Sequence, residues 1–291
     1  MIFGLLYSKN IHHEKILSWL CSLHSRLRID CTKINFLVLS VTISGQGILL
    51  FWKALPKKGA SSAQEQCDLL QVFVDTFGAN RINSLMGDRE FIGEKWVKFL
   101  AQNDISFYVR FKENRLVDWG QREQKPLRYF FQHLTIGQTR FIYKELGGVS
   151  AVIAGARSNE GELVLVVSNQ IHKKAPKILL SYRRRFIIET LFKNTKTSGF
   201  NFEDTHLKSP EKLMAVVAVA TALCVVTGKA QVTLKPTPYR STVQASLYPV
   251  FRRGFDFLRR CLLALLNTYL FMEPLNSSNS LKNLKGCKNV G

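Results

Sequence analysis

Short apolar runs broken by turn residues dominate the first third of the chain, and longer helical periodicities take over towards its end. Phe36 to Ile43 is expected to be a strand, Ser44-Gly45-Gln46-Gly47 a turn, and Ile48 to Trp52 a second strand, together a hairpin. Pro56-Lys57-Lys58-Gly59 breaks that pattern. Ser61 or Ser62 can then cap a helix over 63–77, which Gly78 ends. Arg81 to Met86 reads as a short strand with Asp88 just past its end, Gly93 to Gln102 as a helix, and Ser106 to Phe111 as a strand. From 112 to 175 the texture changes to strands over 139–146, 149–156 and 163–168, with Gly147-Gly148 and Asn159-Glu160-Gly161 as turns. Helices are expected over 11–27 near the start, then over 181–199, 211–227 and 243–268.

The order hairpin, helix, strand, helix, strand, with an acidic residue at a strand end and a later carboxylate-bearing helix, is a ribonuclease-H-like layout. The fold class is therefore α/β, a core interrupted by a β-rich insertion and closed by C-terminal helices. The corresponding divisions are a short helical segment at 1–29, the leading half of the core at 30–111 and the insertion at 112–175. The trailing half of the core with the C-terminal helices follows at 176–268, then a flexible Asn/Ser/Lys-rich tail at 269–291.

The 181–199 segment carries the chemistry. Tyr182, Arg185, Glu189 and Lys196 stand at offsets 0, 3, 7 and 14, which on a continuous helix fall within a stripe about 60° wide. Ile187, Ile188 and Leu191 point the other way, into a core. A lone carboxylate flanked by Arg, Lys and an aromatic suits a phosphate-and-metal site, the carboxylate holding a divalent cation and the basic groups a nucleic-acid backbone. The plainer reading is an amphipathic helix with a solvated Arg–Glu pair.

Lys and Arg number 41 against 21 Asp and Glu, a formal charge of +20, and they recur along the whole chain. That balance calls for a polyanionic partner, most simply nucleic acid. The six cysteines form no CxxC pair and no ligand spacing, which argues against a zinc site and fits a reducing cytosol. No signal peptide is read at the start, and the apolar run 213–227 is short for a membrane span, so no membrane partner is expected.

Tyr182, Arg185, Glu189 and Lys196 at this spacing resemble the signature of insertion-sequence DDE transposases of the IS-four/Tn-five type. The trailing Gly199-Phe200, Glu203 and Thr205-His206 fit the same family. A second block, Met86-Gly87-Asp88-Arg89-Glu90-Phe91-Ile92-Gly93 followed by Trp96, resembles its segment around the second catalytic aspartate. The likeness runs over about 30–262, and the family's longer N-terminal portion makes this chain look shortened there. It implies metal-dependent DNA cleavage and strand transfer at the ends of an insertion element. Asp88, Glu189 and Asp30 are its catalytic, metal-holding carboxylates; Tyr182, Arg185 and Lys196 are its DNA contacts. Further implications are Mg²⁺ (or Mn²⁺) as cofactor, double-stranded DNA (terminal inverted repeats and target) as partner, a homodimer on DNA, and a cytoplasmic, nucleoid-associated location in a bacterium. The alternatives are a ribonuclease-H-like nuclease that cuts without joining and a non-catalytic DNA-binding remnant.

Arg28-Ile29-Asp30-Cys31-Thr32 resembles the family's first Asp-x-Thr, with a departure. Only five residues separate Asp30 from Phe36, little room for a first strand to turn into an antiparallel second. Asp30 is accordingly expected farther from Asp88 than Glu189 is, or on a poorly formed strand.

Overall fold

A computed structural model describes residues 16–29, 32–43, 45–55, 57, 59–118, 124–196, 200, 207, 209–234 and 250–282, with side chains described outside 16–34, 43, 118, 196 and 268–282. The strands are β1 (Ile16–Ile29), β2 (Thr32–Ile43), β3 (Gln46–Leu55), β4 (Ile82–Gly87), β5 (Phe107–Phe111), β6 (Leu116–Asp118), β7 (Gln124–Pro126), β8 (Thr139–Leu146), β9 (Val149–Arg157) and β10 (Leu163–Ser168). The helices are α1 (Ala63–Phe77), α2 (Glu94–Gln102), the short α3 (Arg128–Phe131), α4 (Ala175–Arg183), α5 (Phe186–Lys196), α6 (Pro210–Leu234) and α7 (Val250–Lys282).

One eight-stranded mixed sheet, in the order β3-β2-β1-β4-β5-β10-β9-β8, carries the fold. β1, β2 and β3 are antiparallel, while β4 runs parallel to both β1 and β5. The 3-2-1-4-5 order with two parallel crossovers is the ribonuclease-H-like arrangement expected from the sequence. The insertion's three long strands do not stand apart. β10 pairs with β5, and β9 and β8 extend the same sheet outward.

The expected helix over 11–27 is corrected where it can be described, because 16–29 is strand β1. Its residues show why: Leu23, Leu27 and Ile29 alternate with His24, Arg26 and Arg28, a period of two that a helix would scatter around its circumference. β1 also supplies backbone partners to both β2 and β4, whose facing edges would otherwise be unpaired.

The two faces of the sheet are covered differently. On one, Phe36, Val38, Leu49, Met86, Tyr108, Val152 and Val166 pack against Ile178 and Tyr182 of α4, Ile188 and Leu191 of α5, and Leu213 and Val217 of α6. On the other lie α1, whose Ser62 and Glu65 form a reciprocal N-terminal cap, and α2 with the buried Trp96. Phe51 of β3 meets Phe73 of α1 edge-on.

The chain divides into two compact units, Met1–Thr221 and Ala222–Gly291. In the second, the last turns of α6 meet α7 backbone to backbone. A Cβ at Gly228 would collide with the Val250 carbonyl oxygen, and one at Gly254 with that of Cys224. α6 is longer than the 211–227 expected. By length and composition it could cross a membrane, but half of its most apolar stretch is buried in the protein.

Candidate active site

The continuous helix expected over 181–199 is two helices. α4 ends at Arg183 and α5 starts at Phe186, with Arg184 and Arg185 in a turn between them. The amides of Arg185, Ile187 and Ile188 donate to the carbonyls of Tyr182, Arg184 and Arg185, three residues back, so the chain tightens there without losing its hydrogen bonds. The break has a packing reason: α4 seats over β5, β10 and β9, whereas α5 seats towards β3, at the other end of the sheet.

That turn gathers the functional side chains. Asp88 follows β4 directly, its carbonyl accepting from the Phe91 amide at 3.0 Å. Gly87 permits this turn, since a Cβ there would stand 2.9 Å from the Phe91 side chain. Arg185 lies between Asp88 and Glu189. One arm of its guanidinium is 4.0 Å from the Asp88 carboxylate, and the other donates to Glu189 Oε1. The two carboxylates, about a hundred residues apart in sequence, thus face one cation. The arginine is only 22% exposed and the acids 48% and 45%, so the site is open to a ligand on the carboxylate side.

Beneath the guanidinium, 5.7 Å away, is the ring of Tyr182. Its hydroxyl is buried and, among the described residues, has no hydrogen-bond partner. Burial pushes the phenol up to about 12, with Arg185 and Arg110 pulling down and Asp88 and Glu189 pushing up. Tyr182 is therefore a neutral hydroxyl with a free donor at the floor of the site. Lys196 ends α5 in backbone, but its side chain lies outside the described residues, as does Asp30.

Arg110, which the sequence motifs do not mark, lies close enough to Tyr182 to act on its phenol. It stands two residues after Tyr108, an arginine in an otherwise apolar central strand, and that contrast is the available signal. It helps to line a cavity of about 720 Å³, with Arg89, Arg128 and Arg157 among the other walls.

A family model of the transposase DDE domain matches residues 30–225, two thirds of the chain. The chain belongs to the DDE transposase family. Family members act on DNA and work with divalent metal ions. No curated protein matches the chain. Among solved structures it is similar to a piggyBac transposase synaptic complex with hairpin DNA, at 11% identity and TM-score 0.47, covering 84% of this chain and 54% of that one. A simian T-cell lymphotropic virus intasome in complex with the PP2A regulatory subunit B56 gamma gives 10% identity and TM-score 0.29, over 53% of this chain and 76% of that one. The NurA nuclease from Sulfolobus solfataricus gives 11% and 0.33, over 81% and 95%. The chain spans about half the length of the piggyBac transposase it matches.

Asp88 and Glu189 fit a hard divalent ion. Both are oxygen donors, both are half exposed, and both already face a positive charge that an ion could replace if Arg185 swings aside. Two ions side by side are usually held by three carboxylates from separate elements. Among the described residues no group of three or more His, Cys, Asp or Glu gathers, so those residues do not make the full two-ion site.

Proposed function

We propose that this chain is the catalytic portion of an insertion-element transposase of the IS-four/Tn-five type, acting on the terminal inverted repeats of its element and on target DNA. The observation that supports this reading is the meeting of Asp88 and Glu189 on Arg185, above the unpartnered hydroxyl of Tyr182. The reaction class is phosphodiester cleavage and transfer: a water or 3′ hydroxyl oxygen bonds to phosphorus, the existing P–O bond breaks, and its oxygen leaves with the electron pair.

Arg185 neutralises the non-bridging phosphate oxygens and, before DNA arrives, offsets the mutual repulsion of the two carboxylates. Tyr182, neutral at any working pH, donates its hydroxyl proton to a phosphate oxygen. Lys196, two turns beyond Glu189, adds a backbone contact. Asp88 and Glu189, with Asp30 assigned by resemblance, would hold Mg²⁺ or Mn²⁺, which when bound sharpens the attacking oxygen and steadies the leaving one. A homodimer on DNA, a cytoplasmic, nucleoid-associated location and the absence of a membrane partner complete the proposal.

Cutting of a labelled element-end duplex in Mn²⁺ tests it. Asp88→Asn and Glu189→Gln are each expected to abolish whatever cleavage the unsubstituted chain shows while DNA binding persists. Cleavage that survives both substitutions would place the chemistry elsewhere.

A further inference from the structure

Beside the Asp88–Glu189 pair lies the cavity of about 720 Å³ that Arg110 helps to line. Strand pairing explains its place. Gly87 of β4 lies opposite Val109 of β5, and Asp88 and Arg110 are the residues that follow them. Phe111 pairs with Leu165 of β10, and Leu163, where β10 starts, pairs with Arg157 at the end of β9. The ends of β4, β5 and β9 therefore meet at one rim of the sheet and bring Arg89, Arg110 and Arg157 to it, while α3 adds Arg128.

Four guanidinium groups on these walls face two carboxylates, Glu113 and Glu162. Arg157 donates to the carbonyls of Leu134 and Gly161 at 2.6 and 2.8 Å, and Arg128 to the side-chain oxygen of Asn114 at 3.0 Å. Those acceptors are neutral, so they orient the guanidinium groups and leave their charge in place. Among the described residues one ion pair joins the two sets: Arg110 to Glu162, at 3.7 Å. The Arg110 side chain is 20% exposed and that of Glu162 72%, an acid reaching in from solvent over a half-buried cation. A single exposed partner at that distance is held weakly.

We infer that this cavity is a second phosphate site, seating a backbone phosphate of the DNA strand that runs on from the Asp88–Glu189 pair, and that Glu162 occupies Arg110 until DNA displaces it. This rests on the reading of the chain as one that acts on DNA. Guanidinium forks match the oxygens of a phosphate, and the volume suits a nucleotide unit better than a lone ion. A contact made through charge alone carries no sequence information, so the site positions DNA of any sequence. Arg110, which also acts on the Tyr182 phenol, joins the cavity to the active site.

Binding of labelled duplex DNA to the full chain, over a series of salt concentrations, tests this without relying on cleavage. Glu162→Gln is expected to tighten binding about three- to tenfold by freeing Arg110. Glu160→Gln makes the same change of charge at an exposed position in the same turn but outside the cavity, and should change affinity less than about twofold. In an Arg110→Gln background, Glu162→Gln should no longer tighten binding. Equal tightening by Glu160→Gln and Glu162→Gln, or a Glu162→Gln effect that persists without Arg110, would overturn the inference.

Because Arg110 sits in a central strand and its loss could disturb folding, the exposed Arg89 and Arg128 supply a second reading. The double variant Arg89→Gln, Arg128→Gln is expected to lower the log–log salt slope by about 0.9, the value of one phosphate, equally for duplexes of different sequence. DNA binding with an unchanged slope would contradict the site alone. A chain that binds no duplex at any salt concentration would instead sink the underlying reading, and this inference with it.

Discussion

Arg185 is the residue on which the site turns, since its guanidinium meets Asp88, Glu189 and the ring of Tyr182 at once. The spacing of Tyr182, Arg185 and Glu189 is legible in the sequence; the means of bringing them together is not, because a turn replaces the expected continuous helix. Arg110 is only partly legible, since its contrast with an apolar strand marks it while nothing local tells that it lies near Tyr182. Tyr182 offers a direct check. Its hydroxyl is buried without a partner among the described residues, so Tyr182→Phe is expected to leave thermal stability unchanged or raise it by up to about 1 kcal/mol, while weakening DNA binding. A clear loss of stability would mean that the hydroxyl has a structural partner. The phenol also sets a pH limit. Its folded value, about 12, stands above the ordinary 10, so the folded chain holds the proton longer than the unfolded one. The stabilisation is complete below about pH 10 and drains away as pH rises towards 12, an order of roughly 2–3 kcal/mol. Phenolate absorbance should show one tyrosine titrating late, and Tyr182→Phe should remove it.

Among the elements, the strands of the core and insertion follow from their apolar alternation and their Gly-rich turns, and α1 from its cap and Gly78. β1 reads locally as a helix because its leading Ile16-Leu17-Ser18-Trp19-Leu20 satisfies either period, and only the later His24, Arg26, Arg28 alternation separates them. What decides is tertiary: a gap between β2 and β4 that one more strand fills. The crossing of α6 and α7 is equally hidden, since two lone glycines in apolar helices announce no contact until the backbones are seen together. There the added methyl would meet a carbonyl oxygen, which cannot be moved aside like a side-chain tip. Gly228→Ala and Gly254→Ala are each expected to cost about 2–3 kcal/mol in denaturant unfolding of the second unit. An unchanged midpoint in both would contradict that close approach.

At the scale of the whole molecule, the ribonuclease-H-like order β3-β2-β1-β4-β5 places Asp88 at the carboxyl end of a central strand, and the +20 charge provides the attraction for DNA around it. Affinity for duplex DNA is expected to fall steeply with salt, with a log–log slope of about −0.9 per phosphate neutralised. A nearly flat dependence would rule out backbone charge as the main contact. The central claim is narrower: Asp88 and Glu189 serve one and the same ion. It is tested most directly by Mn²⁺ affinity in Asp88→Asn, Glu189→Gln and the double variant. If the two carboxylates share an ion, either single substitution loses most of the binding and the double variant loses little more. Losses that simply add would mean that the two carboxylates act independently, and would contradict the account.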